Sequence, residues 1–284
     1  LIINLPVSML PSVSDWYSPN RTMRDICGSE FKEQVDILTA VRIRMDFEYW
    51  AATCAVIQDK ETKREFNLVL RYPQRILLAV LIGMFNKRIP IRIILLKARQ
   101  WGGSTLIQMF MAWLQIHHFE NWHSAIVGDV EEQARTIRAM YTRMVAKHPA
   151  DVQPLTFAPH EGSTKNRIIS ERGCIISIGS MQRPEGLRSS DIMLSHKSEV
   201  GSWKKTAGKT PEDMIMSLSG MPLVHGTVDI EESTAKGVGN YFHTAWLKAV
   251  NKETERTPVF IPWYQIAIYQ KPVNSNTEKE EFVR

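Results

Sequence analysis

The run Lys97-Ala-Arg-Gln-Trp-Gly-Gly-Ser-Thr105 constrains this chain more than any other stretch. It follows an apolar segment of strand length, residues 91–96, and precedes residues 104–119, whose amphipathic spacing predicts a helix. A strand, a glycine turn bearing cations and a helix opened by two hydroxyl residues make a good holder for phosphate, because backbone N–H groups at a helix start face the anion. Lys97 and Arg99 strengthen that reading, since cations entering a sheet are costly without an anionic partner. A standard phosphate loop ends in Gly-Lys-Ser/Thr, yet Gly103 stands where that lysine belongs. A tight strand-to-helix turn with a hydroxyl cap would use the same Gly-Gly-Ser-Thr letters, so the loop takes its meaning from what accompanies it.

The chain has 284 residues, 44% hydrophobic and 23% charged, a composition that excludes disorder as the dominant state and predicts one large globular domain with a small appendage. A net charge of +5 permits a nucleic-acid partner without requiring one. Cys27, Cys54 and Cys174 are widely spaced, match no paired metal-ligand spacing, and predict a reducing compartment. No apolar run reaches the roughly 20 residues a membrane span requires, and no signal peptide opens the chain, so a soluble intracellular protein is expected. The leucine start and the charged stretch 278–284 at the end read as a cut from a longer protein.

Residues 1 to about 30 read as an irregular arm, and 30–58 as helical, with Val35, Leu38, Val41, Ile43, Phe47 and Trp50 on one face. A charged turn at 59–64 leads to a short strand at 66–70, then a helix over 74–86 opened by Pro73. Beyond it, strand-length apolar runs at 91–96, 124–127, 174–178, 192–195, 228–231 and 259–261 alternate with helical patterns at 104–119, 131–147, 211–219 and 240–250. That alternation predicts a parallel sheet covered on both faces. Residues 167–170 and 174–178 predict a hairpin across Glu171-Arg-Gly173.

Several groups could work with the loop. Phosphoryl transfer to water needs a carboxylate at the carboxyl end of a neighbouring strand. Glu199, in Asp191-Ile-Met-Leu-Ser-His-Lys-Ser-Glu199, meets that description, although an ordinary strand ending on a solvated carboxylate looks alike. Ser233 and Thr234 close another strand and could sense a terminal phosphate, or merely cap the next helix. Tyr72-Pro-Gln74 could offer an aromatic face and an amide to an adenine edge, or simply start a helix. Ser104 or Thr105 would give a hydroxyl to magnesium. His117, His118 and His123 match no zinc spacing and read as structural or exposed.

Together these motifs resemble the ATPase domain of a tailed-bacteriophage terminase large subunit. The loop is similar to its variant Walker A motif, His196-Lys-Ser-Glu-Val-Gly-Ser-Trp203 to its Walker B end, and Glu231-Glu-Ser-Thr-Ala-Lys-Gly237 to its coupling motif. Gly239-Asn-Tyr-Phe242 with Trp246, and Pro262-Trp-Tyr264, follow in the family's order. The resemblance implies a P-loop NTPase fold of ASCE type: a three-layer α/β/α sandwich with a mainly parallel central sheet and an N-terminal helical extension. It divides the chain into an arm and extension (1–65), an ATPase domain (66–265) and the start of a linker (266–284) toward an absent nuclease domain. No nuclease activity is expected of these residues.

By the same resemblance, ATP and Mg2+ are the cofactors. Glu199 activates water and Arg99 acts as a cis arginine finger or γ-phosphate sensor; Lys97 is the relocated phosphate-binding lysine. Gln100, Trp101, Gly102, Gly103, Ser104 and Thr105 complete the phosphate loop, Tyr72 and Gln74 contact adenine, and Ser233 and Thr234 couple hydrolysis to movement. Ser198 occupies the Walker B aspartate position, so Ser104 with Ser198, through water, or Asp191, is expected at the metal. Implied partners are double-stranded DNA of any sequence, the portal protein, the small terminase subunit and other copies in a homo-oligomeric ring, in the host cytoplasm during virion assembly. Arg135, Arg138, Arg143 and Lys147, or Lys204, Lys205 and Lys209, could meet the DNA backbone, or be solvated faces. The alternatives are a helicase-like ATPase, which needs a second motor domain, and a catalytically silent nucleotide-binding scaffold.

Overall fold

The computed structural model describes residues 32–269, apart from 60–61, 183–186, 188–190, 207 and 219. The expected arm, Cys27 and the chain beyond 269 lie outside these residues. The single helix expected over 30–58 is divided into α1 (Lys32–Met45) and α2 (Phe47–Thr53). Asp46 makes the break: its carboxylate accepts from Tyr49 N at 3.0 Å, capping α2, and pairs with Arg42 at 3.2 Å. An antiparallel pair follows, β1 (Val56–Gln58) and β2 (Glu65–Asn67), then α3 (Tyr72–Asn86) with Pro73 in its first turn.

The remaining elements alternate as the sequence predicts. In chain order they are β3 (Ile91–Lys97), α4 (Gly103–Trp113), β4 (His123–Gly128), α5 (Glu131–Ala146), β5 (Phe157–Pro159), β6 (Asn166–Ile169), β7 (Cys174–Ser180), β8 (Ile192–Ser198), α6 (Pro211–Ser217), β9 (Val228–Ser233), α7 (Tyr241–Val250) and β10 (Thr257–Ile261). One eight-stranded sheet takes the order β10-β3-β9-β8-β4-β7-β6-β5. Its first six strands are mutually parallel, and β7-β6-β5 are antiparallel. The expected hairpin is β6–β7, turned at Gly173 with φ 62°. The edge strand β5 carries too little apolar alternation to be read beforehand.

Two cores follow from strand alternation. Ile93 and Leu95 of β3, Ile126 of β4 and Ile230 of β9 pack with α2, α3, α4 and α5; Ile94, Ala125 and Val127 pack with α6 and α7 on the other face. This is the three-layer sandwich, with the sheet buried on both sides. Cys54 and Cys174 are buried free thiols. No described helix is long and apolar enough to cross a membrane.

Past α4 a π-helical turn, Leu114–His118, carries two of the three clustered histidines into aromatic packing. The His118 ring lies 4.3 Å from that of Trp113, and His117 lies 6.0 Å from Trp50. Burial lowers His117 to about 3, His118 to about 4 and His123 to about 4. An unfolded histidine titrates near 6.5, so as pH falls below that value the unfolded chain takes up protons first and folding stability is lost. Melting temperature is therefore expected to decline already between about pH 6.5 and 5, above the carboxylate range. Calorimetry across that window checks this, and a flat melting temperature would contradict it.

Candidate active site

The loop between β3 and α4 is shaped by two residues with left-handed backbone, Gln100 (φ 60°) and Gly102 (φ 84°), the second serving as N-cap of α4. Trp101 is 3% exposed and lies beneath the helix start. A Cβ added at Gly103 would come within 2.5 Å of its ring. The missing lysine thus has a steric cause: the indole fills the space a side chain at 103 requires. Gln74 straps the loop from α3, its amide nitrogen donating to Gly102 O at 3.4 Å while its oxygen accepts from Arg71 N at 2.9 Å. The side chain expected at an adenine edge is therefore only 2% exposed and engaged at both ends, whereas the Tyr72 ring is 65% exposed.

Strand β9 lies between the loop strand β3 and the Glu199 strand β8, with Glu232 in register with Leu95 on one side and Ser198 on the other. Three strand ends therefore meet beside the loop. Lys97 Nζ donates to Glu199 Oε1 at 3.3 Å and lies 3.8 Å from Glu232 Oε2. Glu199 Oε2 accepts from Thr234 Oγ1 at 3.2 Å. Glu232 Oε1 accepts from Ser104 Oγ at 2.5 Å and Ser198 Oγ at 3.0 Å, with His196 Nε2 at 3.1 Å. His196 is held from α4, its Nδ1 lying 2.6 Å from Gln108 Nε2.

Glu232 is fully buried, and burial alone would push its carboxyl up; Lys97 and then His196 outweigh that and hold it at about 2. Burial would likewise lower the Lys97 ammonium, but Glu232 and Glu199 raise it instead. The pair is thus a charged one. Glu199 leaves β8 with φ 54°, a left-handed conformation unusual for a non-glycine residue, and caps the 3-10 turn Val200–Ser202.

Alternation along β9 sends the adjacent Glu231 to the opposite face. There Lys197 pairs with Asp229, and Arg256 with Asp229 and Glu231, both at 2.7 Å, while Tyr241 donates to Glu231 at 3.3 Å. Burial would raise Asp229, but Lys197 and Arg256 hold it at about 2; burial raises Glu231.

The structure thus brings Lys97, Ser104, Glu199 and Thr234 together. Ser233 lies beside them, its hydroxyl accepting from Gly201 N at 3.0 Å. Arg99 is exposed at the loop, with no side-chain partner among the described residues, and its carbonyl accepts from Tyr269 OH at 3.0 Å. Ser198 is 3% exposed and donates its hydroxyl to the same Glu232 oxygen as Ser104. One expectation needs correction. Asp191 precedes β8 and lies at the amino edge of the sheet, a strand's length from the loop. Thr105 also points elsewhere, its hydroxyl 3.5 Å from Met140 Sδ on α5.

The basic run on α5 is engaged within the protein. Arg135 pairs with Glu131 at 2.6 Å, Arg143 and Lys147 with Glu65 at 3.4 and 3.5 Å, and buried Arg138 donates to Lys165 O at 2.6 Å. Lys204 and Lys205 are exposed after Trp203, and Lys209 is half-buried. Glu232 and His196 were missed from sequence because both apolar runs were ended early, at 231 and 195. Both strands already carry polar residues before these positions, Asp229 and Glu231 in β9 and Ser195 in β8, so polarity does not mark where either strand stops.

The sequence matches no protein-family model and no curated protein. Among solved structures, the HK97 bacteriophage large terminase is similar with a TM-score of 0.58 and 15% identity, over 85% of this chain and 46% of that one. The chain shares the fold of phage large terminases. The large terminase of a thermophilic bacteriophage, solved in complex with ATP-γ-S, is similar with a TM-score of 0.50 and 11% identity, over 75% of this chain and 48% of that one. The chain spans about half the length of these terminases. Within the terminase fold, packing of Trp101 against Gly103 makes one expectation direct. Gly103→Lys, which restores the usual letters of the loop, is expected to lower stability by about 1–3 kcal/mol through overpacking. Denaturant titration of parent and variant checks this; equal midpoints would refute the steric account.

Proposed function

We propose that residues 66–265 form the ATP-hydrolysing motor domain of a phage terminase large subunit, which drives double-stranded DNA into the prohead. The observation that carries this reading is the meeting of Lys97, Glu199 and Thr234 within 3.3 Å at the carboxyl edge of the sheet, beside a glycine loop that opens a helix. The shared fold, and the nucleotide bound by the thermophilic phage's terminase, support it.

In this reading the backbone N–H groups at the start of α4 receive the phosphates. The exposed Tyr72 ring is open to lie against adenine. Before nucleotide enters, Lys97 is shared between two carboxylates. A polyphosphate is a stronger anion than either, so its arrival draws Lys97 away and frees Glu199 Oε1 to orient and deprotonate the attacking water. Thr234 keeps the other oxygen, fixing the carboxylate and joining the coupling segment to the hydrolytic group. Arg99, exposed at the loop, stabilises charge that develops on the transferred phosphoryl group. Ser104 fits as the hydroxyl that holds Mg2+, because it lies at the helix start against an ionised carboxylate; the ion when bound neutralises phosphate charge. Portal protein, small terminase subunit and a ring of further copies belong to the same reading, with DNA gripped through its backbone.

Two measurements test this reading. Glu199→Gln is expected to lower ATP turnover about 100-fold or more, with DNA and portal present, while ATP still binds. Turnover equal to that of the parent would favour a silent scaffold. Arg99→Ala is expected to lower kcat about 100-fold at unchanged nucleotide affinity, whereas Lys97→Ala weakens binding about tenfold. Equal ATP affinity in Lys97→Ala and parent would sink the role given to that lysine.

A further inference from the structure

The position before the water-activating glutamate, where an aspartate would hold the nucleotide's metal, is Ser198. A serine hydroxyl brings no negative charge, so the site needs its carboxylate from elsewhere. Ser198 is in register with Glu232 on the adjacent strand, and the two side chains share one face of the sheet. We propose that Glu232 supplies the carboxylate for the nucleotide-bound divalent cation, so that the metal is held from β9 instead of β8.

Three observations carry this. Ser104 Oγ, the hydroxyl that would hold the metal, donates to Glu232 Oε1 at 2.5 Å, so the two oxygen groups that would hold it already adjoin. Glu232 is fully buried, yet its Oε2 accepts no hydrogen bond from the described residues; the nearest cation, Lys97 Nζ, is 3.8 Å away. A buried anionic oxygen that accepts no hydrogen bond is costly, and a cation that arrives with substrate explains it. Lys97, Ser104 and Ser198 also all face the carboxylate, surroundings that suit an anion. Hard divalent cations favour such oxygen donors. When Lys97 turns to the phosphates, a second positive charge must replace it at Glu232, and the metal meets that need. The usual fate of a buried Lys–Glu pair is structural, but a purely structural pair would close to hydrogen-bond distance at this oxygen.

This inference rests on the nucleotide-binding reading, and one experiment separates the two. Binding of a non-hydrolysable ATP analogue is measured with Mg2+, with Mn2+ and with excess chelator, for parent, Glu232→Gln and the double variant Ser198→Asp/Glu232→Gln. Bound Mn2+ is counted by electron paramagnetic resonance. In the parent, metal is expected to tighten the analogue about tenfold or more. Glu232→Gln should keep chelator-insensitive binding, lose most of that metal enhancement and release Mn2+. The double variant, which moves the carboxylate one strand over, should regain it. If the parent binds no analogue under any of the three conditions, the nucleotide reading fails and this proposal with it; if the parent binds the analogue but gains nothing from metal, the proposal alone fails. If Glu232→Gln keeps the full enhancement, only the proposal fails. If Glu232→Gln does not fold, the double variant decides: a restored fold with metal enhancement supports the assignment, and folded but metal-insensitive binding overturns it.

Discussion

The buried carboxylate of Glu232 is what the site depends on. Ser104 from the loop, Ser198 and His196 from β8, and Lys97 from β3 all reach it. An ion at zero exposure is tolerable only because these groups compensate its lost hydration. In return it holds three strand ends and a helix start in one arrangement. Remove its charge and Lys97 keeps only Glu199 as a counter-ion.

That dependence makes sense of the loop's unusual letters. With Trp101 beneath Gly103, the helix start has no room for a lysine, and the cation nearest the site stands at the end of β3 instead. Lys97 on that strand lies on the same face as Glu232, two residues beyond the position opposite it. A lysine placed there cannot avoid the carboxylate. The displaced cation and the buried anion are therefore parts of one solution, and Gln74 braces the loop that joins them.

The alternation of apolar strands and amphipathic helices carried most of the fold, because a sheet buried on both faces writes itself as continuous runs of Ile, Leu and Val. The loop, Glu199 and Thr234 were legible for a related reason: they sit at boundaries where apolar runs stop. Glu232, His196 and Lys197 were hidden by the same rule. They are polar residues inside strands, and only three-dimensional pairing reveals that each has a partner from another strand or helix. Asp46, too, looked like one more helical residue, since nothing in the periodicity of 30–58 marks it as a cap.

Strand β9 is anchored on both sides: Asp229 and Glu231 to Lys197, Arg256 and Tyr241 on one, Glu232 to Ser104 at the start of α4 on the other. A rod fixed so cannot roll about its long axis without separating opposite charges in a dry interior. Its free end is different. Just past Thr234 the chain meets Gly237 and Gly239, both with left-handed backbone and open space around them, before α7 begins. The hydrogen-bonded part of this segment thus ends at the hydroxyl that touches Glu199, and the first left-handed glycine lies three residues later. In the motor reading proposed above, a change at Glu199 would pass through this hydroxyl to the chain at that glycine, with the sheet behind it as the fixed mount.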